Sequence, residues 1–89
     1  MPYITKKKRE QWDWEIVRTG RSLIMSNDIG PGDLNYIISS IIWKAFDKDT
    51  SYTKANELIG VLECVKQEFY RRKVVPYEEE KMKENGDIL

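Results

Sequence analysis

Between Lys54 and Val74 the apolar residues Ala55, Leu58, Leu62, Val65 and Phe69 recur at alternating intervals of three and four, flanked by Ile59 and Val61. That spacing lines one face of an α-helix, whereas a strand would place apolar residues at every second position. An apolar stripe of this regularity must be covered, either by other helices of the chain or by another molecule. Two further segments carry the same rhythm. Trp12, Ile16, Val17, Leu23 and Ile24, with Gly20 on the same side, predict a first helix over 6–26 capped by Thr5. Leu34, Ile37, Ile38, Ile41, Ile42, Ala45 and Phe46 predict a second helix over 34–46, with Asp33 as its cap. The rival reading of the second segment is a strand, because Tyr36 to Ile42 is rich in β-branched residues. The aspartate and the three-four spacing favour helix.

The breaks between these segments are equally legible. Gly30-Pro31-Gly32 cannot continue a helix and favours a tight turn. Asp47 to Ser51 is a polar loop, and Ser51 or Thr53 is placed to cap the third helix, 54–74. Pro76 lacks the amide that would bond to the carbonyl of Arg72, so it kinks or ends that helix. A last short helix over 77–84, with Glu79 and Lys83 at the favourable spacing, is stopped by Asn85-Gly86. Met1 to Ile4 is expected to be extended, because Pro2 favours that geometry. The expected architecture is all-α: one helical domain over 1–89, a small bundle of three helices with a kinked C-terminal helical extension. Gly20 and Gly60 are candidates for a close helix crossing, against the plainer reading that each faces solvent.

A chain of 89 residues has little interior, and chains of this size usually need extra support. Cys64 is the only cysteine and there is no histidine, so neither an internal disulfide nor an ordinary zinc site can supply it. Self-association is then the expected source, and Cys64 reads as a small core residue. Trp14 falls off the first stripe. Tyr36 and Trp43, seven residues apart, share a second face of the second helix. Both features suit contact with a partner.

The lack of histidine removes the usual general base and every Ser-His or Cys-His pair. No phosphate-binding glycine loop, GxSxG turn or EF-hand loop is present. Glu57, Glu63 and Glu68 read as solvated or salt-bridged, so the expectation is a binding protein with no catalytic residues, no metal and no cofactor. Fifteen basic residues balance fifteen acidic ones. Nucleic acid is therefore not an expected partner, despite the basic run Lys6 to Arg9 opposite an acidic tail. No apolar run reaches membrane-spanning length, and no apolar signal core follows Lys6 to Arg9, so a reducing cytoplasm is the expected compartment.

The densest polar-aromatic cluster is Glu68-Phe69-Tyr70-Arg71-Arg72-Lys73. Arginine offers a planar fork for phosphate or carboxylate, and tyrosine a stacking face. Tyr70, Arg71 and Arg72 are accordingly the candidate ligand-binding residues, joined by Asn35 and Tyr36 if sites form between subunits. The plainer reading is that both arginines serve the helix terminus and pair with Glu68 and Glu78. The start of the second helix offers free amides to an anion, but Asp33 competes for them.

Four blocks carry a resemblance: Met1-Pro2-Tyr3-Ile4; Gly32-Asp33-Leu34-Asn35-Tyr36; Asn56-Glu57-Leu58-Ile59-Gly60-Val61-Leu62-Glu63-Cys64 continuing to Glu68-Phe69-Tyr70-Arg71-Arg72; and Pro76-Tyr77-Glu78 with Glu84-Asn85-Gly86-Asp87. Through them the chain resembles a family of small, uncharacterised phage and prophage proteins, with Lys73 and Val74 a minor departure. The resemblance implies a phage protein acting in the host cytoplasm. By analogy of size, origin and fold class, it suggests counter-defence by a homo-oligomer that sequesters a cyclic nucleotide immune signal. The alternative is an interaction module that binds and inhibits a host protein through Trp14, Trp43 and the second face of the second helix.

Overall fold

The computed structural model describes residues 3–89, and among them every regular element is helical. The elements are α1 (Lys6–Met25), α2 (Pro31–Asp47), α3 (Tyr52–Phe69), a π-helical segment (Tyr70–Val74) and α4 (Val75–Asn85). The expected extended start at Met1 and Pro2 lies outside the described residues.

Local chemistry sets the ends of each helix. Thr5 caps α1 by accepting the Lys8 amide at 3.1 Å, and Ser51 caps α3 by accepting the Lys54 amide at 3.1 Å. α2 departs from expectation. Its cap is Gly30, and Asp33 stands inside the first turn, where its carboxylate reaches back to the Gly30 amide at 2.8 Å. Pro31 begins the helix because its fixed φ already suits the first turn and its missing N–H would have no helical partner there. At the far end α4 stops where Gly86 turns to φ +89°, a conformation glycine adopts without penalty, and its amide bonds to the Met82 carbonyl at 2.8 Å.

Pro76 does not end the helix. The chain stays helical from Tyr52 to Asn85, a length of about 50 Å at 1.5 Å per residue, which accounts for the molecule's 49 Å long axis. The π segment makes this possible. Pro76 offers no amide to the Arg72 carbonyl and its ring crowds that carbonyl. One extra residue in the turn relieves the conflict, and the Val75 amide bonds to the Tyr70 carbonyl instead.

Among the described residues no side chain is buried. α2 and α3 are the helices that bring their backbones close across a turn, and Ile42, Phe46, Ala55, Leu58 and Leu62 between them are half-covered. Most of the α1 stripe is open, with Ile16 at 65% and Ile24 at 85% exposure. Two expectations are corrected here. A Cβ added at Gly20 or Gly60 would meet nothing within 4 Å, so these glycines make no close crossing within the chain. Cys64 is exposed rather than in a core, because α2 covers a neighbouring face of α3.

Two measures show how extended and exposed the chain is. Its radius of gyration is 16.8 Å, against about 12 Å for a compact domain of this length. Its accessible surface is 8540 Å², against about 5,500 Å² for a folded monomer of its mass. The surplus is roughly 3,000 Å² per chain. No helix of the described residues is long and apolar enough to cross a membrane.

Candidate functional site

The π segment gathers the polar chemistry. Tyr70, Arg71, Arg72 and Lys73 all lie within it, and it begins two residues after Glu68. A single carboxylate oxygen of Glu68 accepts three hydrogen bonds: from the Tyr3 hydroxyl at 2.5 Å, from Arg71 at 2.8 Å and from Arg72 at 3.3 Å. Arg71 also donates to the Tyr3 oxygen at 3.1 Å. The Tyr3 hydroxyl, the Arg71 guanidinium and the Arg72 guanidinium together hold the Glu68 carboxyl below the usual carboxylate range, against its partial burial. Glu68 in turn raises Arg71, which stays charged at any ordinary pH.

Tyr70 is held separately. Its hydroxyl donates to Glu78 at 3.0 Å, and the nearby carboxylate pushes the phenol above its ordinary value. Eight residues separate this pair, a step that in a regular helix turns the second side chain away from the first. The extra residue of the π turn brings the two back to one side, so the proline at 76 indirectly positions Tyr70.

The arrangement has a clear capacity. Two guanidinium groups share one carboxylate, leaving a net positive charge. Each arginine carries five N–H donors, of which the bonds above use few. The remaining donors suit a phosphate or carboxylate, with Glu68 the competitor already in place. Beside it, Cys64, Lys66, Gln67, Tyr70 and Val75 border a shallow cleft of about 710 Å³ together with Glu68 and Arg71.

The other two candidate residues stand elsewhere within one chain. Asn35 accepts the Ser39 hydroxyl at 2.8 Å and lines an apolar groove between α2 and α3. Tyr36 lies on a different face of α2 with Ser40, Trp43 and Lys44, and is 74% exposed. Trp14 and Trp43 are also exposed, at 70% and 71%. The remaining carboxylates of α3 are paired: Glu57 with Lys54 at 3.1 Å, and Glu63 with Lys66 at 3.2 Å. In α4 the ion pair is Lys81–Glu84 at 3.2 Å, not the expected Glu79–Lys83. Among the described residues no three metal-ligating side chains converge. At the start of α2 the Asp33 carboxylate already occupies the Gly30 amide that an anion would seek.

Sequence reasoning missed Tyr3. Nothing local signals a contact across 65 positions, although the residue belongs to one of the blocks that carry the resemblance. It also missed the α2–α3 groove as a surface, although the helical spacing of its residues was visible.

Against known proteins, a family model described as a domain of unknown function (DUF6899) matches residues 1–88. No curated protein and no solved structure matches the chain.

Proposed function

The chain belongs to that DUF6899 family, and we propose that it is a non-enzymatic, homo-oligomeric phage protein that binds a nucleotide-like anion, sequestering an immune signal in the host cytoplasm. The observation that carries this reading is the surface left open by a single chain. No described side chain is buried, and about 3,000 Å² more is exposed than a folded monomer of this mass would leave in water. Obligate subunit interfaces bury areas of this order. Copies of the chain therefore supply each other's missing core, and ligand sites fall at or beside the seams. The phage setting rests on the resemblance carried by the four sequence blocks, and the counter-defence role on analogy of size, origin and fold class.

The anion preference rests on Arg71 and Arg72, which face solvent beside the exposed ring of Tyr70. A phosphodiester engages the guanidinium donors while its base stacks on the phenol. Asn35 and Tyr36 join such a site if a neighbouring copy brings α2 alongside.

Two measurements test the reading. Light scattering across a dilution series is expected to give a stable multiple of 10.6 kDa. Calorimetric titration with cyclic dinucleotides and cyclic ADP-ribose isomers is expected to show saturable binding that Arg71→Ala and Arg72→Ala abolish. A monomer at all concentrations, or silence across the ligand panel, contradicts it. The exposure of Trp14 and Trp43 favours a second reading, an interaction module that inhibits a host protein. Recovery of one stoichiometric host partner, with no nucleotide bound, would favour that reading over the first.

A further inference from the structure

The groove between α2 and α3 has a composition unlike the rest of the chain. In a sequence where a third of residues are charged, none of its lining residues is. Ile38, Ile42 and Phe46 of α2 form one wall, and Ala55, Leu58 and Leu62 of α3 the other. Trp43 and Ile59 stand at its mouth, 71% and 66% exposed. From Asn35 to Phe46 the trough runs about 16 Å at helical rise, the length over which one helix can lie against two others. Its volume is about 580 Å³.

We infer that this groove is the seam between two copies of the chain, each seating α2 of the other against its own α2 and α3. The inference rests on the self-association proposed above and gives it a location. Three observations carry it. Depletion of charge marks the centres of protein interfaces. The surplus surface of about 3,000 Å² per chain, about 6,000 Å² for a pair, lies at the large end of obligate interfaces, whereas a small molecule filling 580 Å³ would cover only a fraction of it. The polar groups on the groove wall are confined to Asn35 and Ser39, whose hydroxyl-to-amide bond of 2.8 Å leaves the Asn35 amide N–H donors to bond across the seam. Amide donors that need a partner across an otherwise apolar seam also fix its register, since other alignments would leave them unbonded.

The experiment uses the full chain and charge complementation. Ile38→Glu and Ile38→Lys are each expected to dissociate the assembly by roughly 100-fold or more in sedimentation or light scattering. Mixing the two variants one to one is expected to restore it, because opposite charges then meet across the seam. Restoration also answers the case in which either variant alone is poorly folded. If either variant stays assembled like the wild type, or the mixture fails to recover, the seam is elsewhere and the inference falls while self-association stands. If the wild type itself is monomeric at all concentrations, or native mass spectrometry finds a monomer carrying a small apolar molecule, both fall together.

Discussion

The α2–α3 groove and the π segment sit along the same long helix yet stand in opposite energetic conditions. The groove has ample apolar surface and no cover. The π segment has abundant charge, and the groups at its centre are partnered within the chain: Glu68 with Tyr3, Arg71 and Arg72, and Tyr70 with Glu78. Apolar burial is non-directional and grows with area, so the groove can drive association but distinguishes partners mainly by shape. Charged hydrogen bonds are directional and exchange against water, so the π segment adds little net stability but can discriminate a ligand. On the proposed assembly, one region would supply affinity between copies and the other specificity for a ligand.

The largest effect that would break this contrast is at the groove. Leu62→Ala is expected to lower stability by about 2–5 kcal/mol, the cost of a cavity in a closed core. Thermal or urea unfolding at fixed protein concentration measures it, and a loss well under that range would mean the groove stays open to water. At the π segment, Glu68→Gln is expected to raise affinity for a phosphodiester by roughly tenfold, since it frees two guanidinium groups from a competing carboxylate. Arg71→Ala should move the same calorimetric constant the other way. Equal losses from both variants would show that Glu68 orients the arginines instead of competing for them.

A smaller effect is expected at Pro76. Pro76→Ala returns an amide to the Arg72 carbonyl and removes the need for a π turn, gaining about 1 kcal/mol in stability. The same change rotates α4 and breaks the Tyr70–Glu78 bond, so the Tyr70 ring resonances should shift while helicity by circular dichroism rises slightly. Unchanged Tyr70 resonances would separate the π turn from the position of that side chain.

The smallest expected effect is with pH. Glu68 is held below the ordinary carboxylate range, so its hold on Tyr3 is complete above the value of an unfolded glutamate and is lost as pH falls through its own lowered one. Tyr70 has the opposite sign: its raised value keeps the bond to Glu78 present below the ordinary phenol range and loses it as pH rises through the raised value. Following the Tyr3 and Tyr70 ring protons by NMR separates the two transitions. Release of Tyr3 at neutral pH would show that Glu68 does not hold the N-terminal segment.

Much of the local architecture was legible residue by residue. The Thr5 and Ser51 caps, the helical rhythm of α1, α2 and α3, and the stop at Asn85-Gly86 each depend on neighbours within a few positions, where side-chain chemistry and backbone preference act directly. The pairing of both arginines with Glu68 was legible, whereas Glu78 bonds to Tyr70 rather than to an arginine and Tyr3 was not foreseen. The start of α2 was misplaced because Pro31 and Asp33 both signal a helix start, and only the position of the backbone tells first residue from third. At Pro76 the alternatives of a kink or a stop stayed open: a proline removes one bond, but whether the chain stops or widens by a residue depends on the packing on either side.

By itself the amino-acid sequence determined that this protein is helical, where most of its helices begin and end, and which faces are apolar, because those properties are set by contacts a few residues apart. Only the tertiary structure decided that Tyr3 closes on Glu68, that one helix runs unbroken past Pro76, and that the apolar faces stay uncovered within one chain. These depend on which distant surfaces meet and how much area they cover, and spacing along a chain carries no measure of either.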